Sequence, residues 1–251
     1  MIDFHTHILP HMDDGAKNTD MAAAMLQSLH EQGVKTVLLT PHYYGKRSNP
    51  DDFIKRRNAV FEHIKGRVPA DLEIRLGAEL HFTGINMPDP EELCKLAIEG
   101  TSCILVEFPF TEKWTSELLG KLSDFIHETG FTPIIAHVER YSEVQKKPSI
   151  VSDLMQMGCL IQVNASAFVE GRIRKLAFAL LKHGFVHCIG TDAHNMDNRA
   201  PDLLQAKETV EKAGYFEAWK RAENIMKNVL GGRQVCVECG NSVKKRFGRY
   251  V

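Results

Sequence analysis

Short apolar runs alternating with stretches of helical period predict an α/β protein, a distorted TIM-like barrel of seven strands, (β/α)7. Three observations carry this. The chain has 251 residues, close to the ~250 of a single barrel domain. Strand candidates at 1–5, 34–40, 72–79, 102–107, 132–136, 159–163 and 186–191 include several rich in Val and Ile and poor in charge, as strands buried on both faces should be. Metal-ligating residue types stand at or just beyond the end of every run except the sixth. An open sheet places its site mainly at one switch point, whereas a barrel gathers all its strand ends around one mouth.

The elements follow in order. Ile2-Asp3-Phe4 leads to His5 and His7, with Asp14 in the loop beyond. A helix starts near Thr19, a reasonable N-cap, places Met21, Met25, Leu26 and Leu29 on one face and stops at Gly33. Val37-Leu38-Leu39 leads to His42, a helix spans Asp51 to Lys65, and Ile74-Arg75-Leu76 leads to Glu79. Ile104-Leu105-Val106 ends on Glu107, before a helix from Thr115 to Glu128. Ile134-Ile135-Ala136 ends on His137, before a helix from Val151 to Met157. A helix from Arg174 to His183 stops at Gly184, and Val186-His187-Cys188-Ile189 then leads to Asp192 and His194. Helices from Leu203 to Lys212 and Phe216 to Leu230 complete the series. No repeat, low-complexity segment or linker divides the chain, so residues 1–251 read as one domain with a mobile basic tail from about 240.

Composition narrows the function. A net charge of -1 offers no general attraction to nucleic acid or membrane. The N-terminus shows no signal peptide, and no run of ~20 apolar residues exists to span a membrane, so a reducing cytoplasm is expected. Of six Cys, Cys103, Cys159 and Cys188 read as buried thiols. Cys236-Val237-Glu238-Cys239 has ligand spacing but no second pair, and reads as two ordinary thiols. Lys244 to Val251 reads as a solvated terminus, or as a weak attachment to an anionic membrane surface. His11 reads as a polar loop residue, and His81 and His187 as residues that could orient ligands.

The chemistry lies in the nine residues taken together: five His, two Asp and two Glu. Residues two apart on a strand face one side, so His5 and His7 can bind one ion. The mixture suits Mn, Fe or Zn better than Mg. Nine donors exceed the needs of one tetrahedral zinc and suffice for three ions if a carboxylate bridges two. A bridging water then loses a proton near neutral pH and attacks, as the slow hydrolysis of phosphate monoesters demands. None of the six Cys stands five residues before an Arg, which argues against a thiol-phosphate intermediate.

The sequence blocks Ile2 to Pro10 with Met12-Asp13-Asp14-Gly15, Thr40-Pro41-His42, Gly77-Ala78-Glu79-Leu80, Val106-Glu107-Phe108-Pro109, Ala136 to Tyr141 and Thr191 to Asn195 resemble the polymerase and histidinol phosphatase (PHP) superfamily. Within it they are similar to the bacterial metal-dependent tyrosine phosphatases of capsule and exopolysaccharide operons, from residue 1 to about 230. The resemblance implies a PHP fold with a trinuclear site of divalent ions, Mn in first place and Fe or Zn after it. It implies His5, His7, Glu79 and Asp192 on one ion, Glu79, Glu107 and His137 on a second, and Asp14, His42 and His194 on a third. Asp13 competes with Asp14 on sequence; the resemblance favours Asp14. It also implies that Arg140 and Arg199 bind the phosphoryl group, for which a guanidinium fork is suited. The implied substrate is phosphotyrosine on an autophosphorylated bacterial tyrosine kinase. The alternative is a small-molecule phosphatase, such as one for histidinol phosphate; a nuclease or non-catalytic module fits the charge and the intact donor set less well. Nothing in the sequence sets the oligomeric state.

Overall fold

A computed structural model describes residues 1–84, 87–110, 113–169, 171–235, 242–246 and 249–250. Cys236 and Cys239 lie outside the described residues. The strands are β1 (Ile2–Thr6), β2 (Thr36–Leu39), β3 (His42–Tyr43), β4 (Glu73–Leu76), β5 (Glu79–His81), β6 (Cys103–Glu107), β7 (Thr132–Ile135), β8 (Leu160–Asn164) and β9 (Cys188–Gly190). They form a three-stranded sheet β1-β2-β4 and a six-stranded sheet β3-β5-β6-β7-β8-β9, with every pairing parallel. The result is an α/β fold with half-barrel sheets.

Each expected run contains a strand; 72–79 is interrupted, and 34–40 is followed by a further short strand. Pro41 has no N–H to donate and separates β2 from β3. Gly77-Ala78 separates β4 from β5. The ladder between them resumes beyond both breaks, from Leu39 opposite Leu76 to His42 opposite Glu79. The two sheets also meet where Thr6 bridges Ala193. There the Asp192 amide donates to the His5 carbonyl at 2.8 Å and the His7 amide to the Ala193 carbonyl at 2.9 Å.

Ten helices flank these strands among the described residues: α1 (Thr19–Glu31), α2 (Pro50–Ile64), α3 (Pro90–Cys94), α4 (Ser116–Thr129), α5 (Ser142–Lys146), α6 (Ile150–Gln156), α7 (Ser166–Val169), α8 (Arg174–Lys182), α9 (Leu203–Lys212) and α10 (Phe216–Leu230). The cap of α1 is Asn18, whose side chain accepts from the Met21 amide, one residue before the expected Thr19.

Alternation along the strands divides the apolar residues between two cores. Phe4, Leu38, Leu105, Ile134, Leu160 and Cys188 share an inner cluster with Met226 and Val229 of α10. Ile104, Val106, Ile161 and Val163 face the outer cluster, with Leu26, Leu29 and Leu122 of the helices. Strands buried on both faces explain the near-continuous apolar runs. Above the inner cluster, the same strand faces end in polar residues: Glu107 follows Leu105, and Gln162 and Asn164 follow Leu160.

Within the basic tail, the described Lys244 and Lys245 are exposed. Val243 is buried in the outer core. β10 (Lys245–Arg246) pairs with β11 (Arg249–Tyr250), and Lys245 Nζ donates to the Gln145 carbonyl at 3.1 Å. No helix among the described residues is long and apolar enough to cross a membrane.

Candidate metal centre

The strand ends bring the nine residues into one cluster. His5 ends β1 with Thr6, and the His5 and His7 Nε2 atoms lie 3.0 Å apart. His42 opens β3 opposite Glu79, which opens β5, and Glu107 ends β6. β7 and β9 stop short of His137 and Asp192, which take left-handed backbone with φ of 33° and 54°. Such strain costs of order 1–3 kcal/mol and collects at functional sites. Close packing needs two glycines: a Cβ on Gly190 would lie 2.6 Å from the His5 amide nitrogen, and one on Gly15 would lie 2.0 Å from the His7 carbonyl oxygen.

Glu79 is fully buried at the centre. Its Oε1 is 2.8 Å from His137 Nε2. Its Oε2 is 2.9 Å from His42 Nδ1, 3.2 Å from His7 Nε2 and 3.3 Å from His5 Nε2. Yet Glu79 Oε2, His42 Nδ1 and His194 Nε2 have no aligned hydrogen-bond partner. Buried polar atoms are almost always paired. A carboxylate oxygen ringed by unaligned imidazole nitrogens is what cation ligation demands, and the nitrogen–oxygen donor set fits such ions.

Among the described residues, three groups have donor atoms within 4.8 Å of one another: His5, His7 and Asp192; His42, Glu79 and Glu107; and His7, Asp14, His42 and His194. These overlap the expected partition without reproducing it. His42 falls beside Glu79 and Glu107 as well as Asp14, and His7 belongs to two groups. His137 lies against the middle group, its Nε2 3.4 Å from Glu107 Oε1.

Mutual charge sets the protonation of these side chains. Burial opposes the charged form of Glu79, but His5, His42 and His137 hold it well below the usual carboxylate range. Glu107 falls to about 2, burial being overcome by His137 and His81. Burial alone would lower His137, yet Glu107 and Glu79 raise it to about 10. His7 is raised by Asp13 against the pull of burial. His194 goes the other way, to about 3, through burial and repulsion by His7. The cluster thus holds protons that bound cations would displace.

Several further residues support the donors. Asp13 Oδ2 is 2.6 Å from His7 Nδ1 and accepts from the His42 amide at 2.8 Å, while its Oδ1 accepts from the Gly15 amide at 2.9 Å. It therefore orients the ring of His7. Asp14 instead approaches His194 Nε2 at 3.4 Å and His42 Nε2 at 3.6 Å, and is 67% exposed. From β8, the run expected to give nothing, Gln162 Oε1 accepts from the His137 amide and lies 3.3 Å from His5 Nδ1; Asn164 Nδ2 donates to Asp192 Oδ2 at 2.9 Å. Their signal was the alternation continuing from Leu160. His81 Nδ1 lies 3.1 Å from Glu107 Oε2, as a ligand-orienting residue would. His187 does not reach the cluster: its Nδ1 accepts from the Ile161 amide. His11 is exposed and in none of the donor groups.

Both arginines converge on Asp192. Arg140 Nη1 donates to its Oδ2 at 3.0 Å, and Arg199 Nη2 lies 2.7 Å from its Oδ1. A cleft of about 570 Å³ opens from the two guanidinium groups, walled by Ala165, Ala167, Val169 and Ile173.

Fold and site together define a barrel-type protein whose strand ends converge in a buried imidazole–carboxylate centre flanked by two arginines. The family described as capsular polysaccharide synthesis, CpsB/CapC, matches residues 1–228, and the chain belongs to it. It is 29% identical over 244 residues to the tyrosine-protein phosphatase CpsB of Streptococcus agalactiae serotype III, covering 91% of this chain and 99% of that protein. It is 30% identical over 221 residues to CpsB of Streptococcus pneumoniae, covering 84% and 90% of the two chains. Among solved structures, those of YwqE from Bacillus subtilis and CpsB from Streptococcus pneumoniae, described as unique metal-dependent tyrosine phosphatases, supply a match with TM-score 0.81 at 26% identity, covering 97% of this chain and 100% of the other.

Proposed function

We propose that this chain is a metal-dependent protein tyrosine phosphatase acting on a bacterial tyrosine kinase that regulates capsular polysaccharide synthesis in the cytoplasm. The observation that carries the reading is the convergence of Arg140 and Arg199 on Asp192 at the edge of the donor cluster. The named activity of the relatives supports it. In this reading β2 with β3, and β4 with β5, are single staves interrupted at Pro41 and Gly77, giving a seven-stave barrel.

The nine donors are assigned as the site of three divalent ions, Mn, Fe or Zn. His5, His7, Glu79 and Asp192 would hold one, Glu79, Glu107 and His137 a second, and Asp14, His42 and His194 a third. When bound, such ions neutralise phosphate charge and acidify a water to a pKa near ~7. Asp13, Gln162 and His81 hold the donor rings and Glu107 in orientation. Arg140 and Arg199 would bind the phosphoryl oxygens in a fork. The cleft beyond the arginines receives the rest of the substrate.

Turnover of a phosphotyrosine peptide compared with histidinol phosphate tests this. The peptide is expected to have the higher kcat/KM; a preference for histidinol phosphate by orders of magnitude would replace the reading with that of a small-molecule phosphatase.

A further inference from the structure

Phe110 is one of few large apolar side chains exposed among the described residues, at 39%, and it belongs to neither apolar core. Its ring contacts are with the site. It stacks on His137, centroids 5.3 Å apart and planes 28° apart, and on Tyr141 at 5.0 Å and 24°. The Arg140 guanidinium carbon lies 4.7 Å from its ring centroid. Tyr141 is itself a fixed support: fully buried, it accepts a hydrogen bond from the Phe108 amide at 2.9 Å and packs against Trp114 at 4.9 Å.

We infer that Phe110 is the positioning residue for Arg140, a neutral aromatic face that holds the guanidinium where the phosphoryl group binds. Arg140 is 38% exposed, and its polar tether is a hydrogen bond to Asp192. A long side chain held by one hydrogen bond retains rotamer freedom, which binding must then remove. A second anchor reduces that loss. A second carboxylate, added to that of Asp192, would also hold the arginine, but it would further offset the positive charge that a phosphate dianion needs. The negative face of an aromatic ring attracts the cation without adding a net charge. The stacking of Phe110 on Tyr141 and His137 fixes the ring that does this. The inference rests on the phosphatase reading only for its consequence in turnover; the Phe110–Arg140 coupling itself is a property of anion binding.

The test is a double-mutant cycle on the metal-loaded protein, with inorganic phosphate as the probe and calorimetric affinity as the readout. Phe110→Leu keeps apolar bulk and removes the ring face; Phe110→Trp restores a stronger one. Phe110→Leu is expected to weaken phosphate binding by about 2- to 30-fold, with Phe110→Trp at or above wild type and metal content equal in all three. In an Arg140→Ala background, Phe110→Leu should have no further effect. An equal loss in that background, or phosphate affinity in Phe110→Leu equal to wild type, overturns the assignment. The same cycle read as KM for a phosphotyrosine peptide separates the two claims: coupling in phosphate affinity without peptide turnover by the wild type keeps the positioning role and discards the phosphatase reading.

Discussion

Asp13→Asn separates the residue that orients His7 from Asp14, the residue proposed to ligate. Asp13 receives three polar contacts: His7 Nδ1 at 2.6 Å, the His42 amide at 2.8 Å and the Gly15 amide at 2.9 Å. The substitution keeps the volume but removes the charge, and its amide NH₂ faces at least one N–H that needs an acceptor. The contact with His7 is charge-assisted, a class contributing about 1.5–3 kcal/mol. Its loss also frees the tautomer and tilt of the His7 ring. Removing such a partner of a ligand histidine lowers metal affinity by roughly 10- to 100-fold, or about 1.4–2.7 kcal/mol. Competition against a chromophoric chelator measures this directly. Asp13→Asn is expected to bind the full complement of ions with weaker affinity, whereas Asp14→Asn, which removes a donor, should bind fewer ions. Unchanged affinity in Asp13→Asn, or loss of an ion there and not in Asp14→Asn, would refute the division of roles.

Three further outcomes are expected. Arg140→Ala should keep its metal and lose phosphatase activity on the order of 10²-fold, while His137→Ala should lose metal as well; elemental analysis beside the kinetics checks both. Burial holds His187 at about 4 in the fold against 6.5 when free, so between those values the unfolded chain takes the proton and the fold does not. Stability from this group is complete above pH 6.5, declines as pH falls and levels off below about 4, a difference of about 3 kcal/mol; denaturant titrations across that window should show a shallower acid loss in His187→Leu. Deleting residues 242–251 removes buried Val243 and should lower Tm by roughly 3–12 °C. The same deletion tests membrane attachment: binding to anionic vesicles that is unchanged by it removes the tail from that role.

Much of the fold was legible because strands buried on both faces leave continuous apolar runs, and each of the seven expected runs contains a strand. The breaks were less visible. Pro41 marks its own interruption, but Gly77-Ala78 becomes one only through the paired ladder. Helices such as α3, α5 and α7, five, five and four residues long, are too short to display a 3.6-residue period. The donor residues announced themselves by chemical type at strand ends. Asp13 and Asp14 did not separate, because adjacent residues in a loop have no period to distinguish their directions. Gln162 and Asn164 escaped because neither is a common ligand type, although the alternation from Leu160 pointed both into the mouth. In the described part of the tail Val243 is buried and Lys245–Arg246 pairs with Arg249–Tyr250, neither of which its run of cations signalled.

The three-ion centre proposed at the strand ends is open to direct observation. Anomalous diffraction from crystals at the Mn, Fe and Zn edges, giving ion number and identity together, tests it most directly. Three peaks are expected, one beside His5, His7 and Asp192, one beside Glu79, Glu107 and His137, and one beside Asp14, His42 and His194. A single peak, or ions away from Glu79, would contradict it.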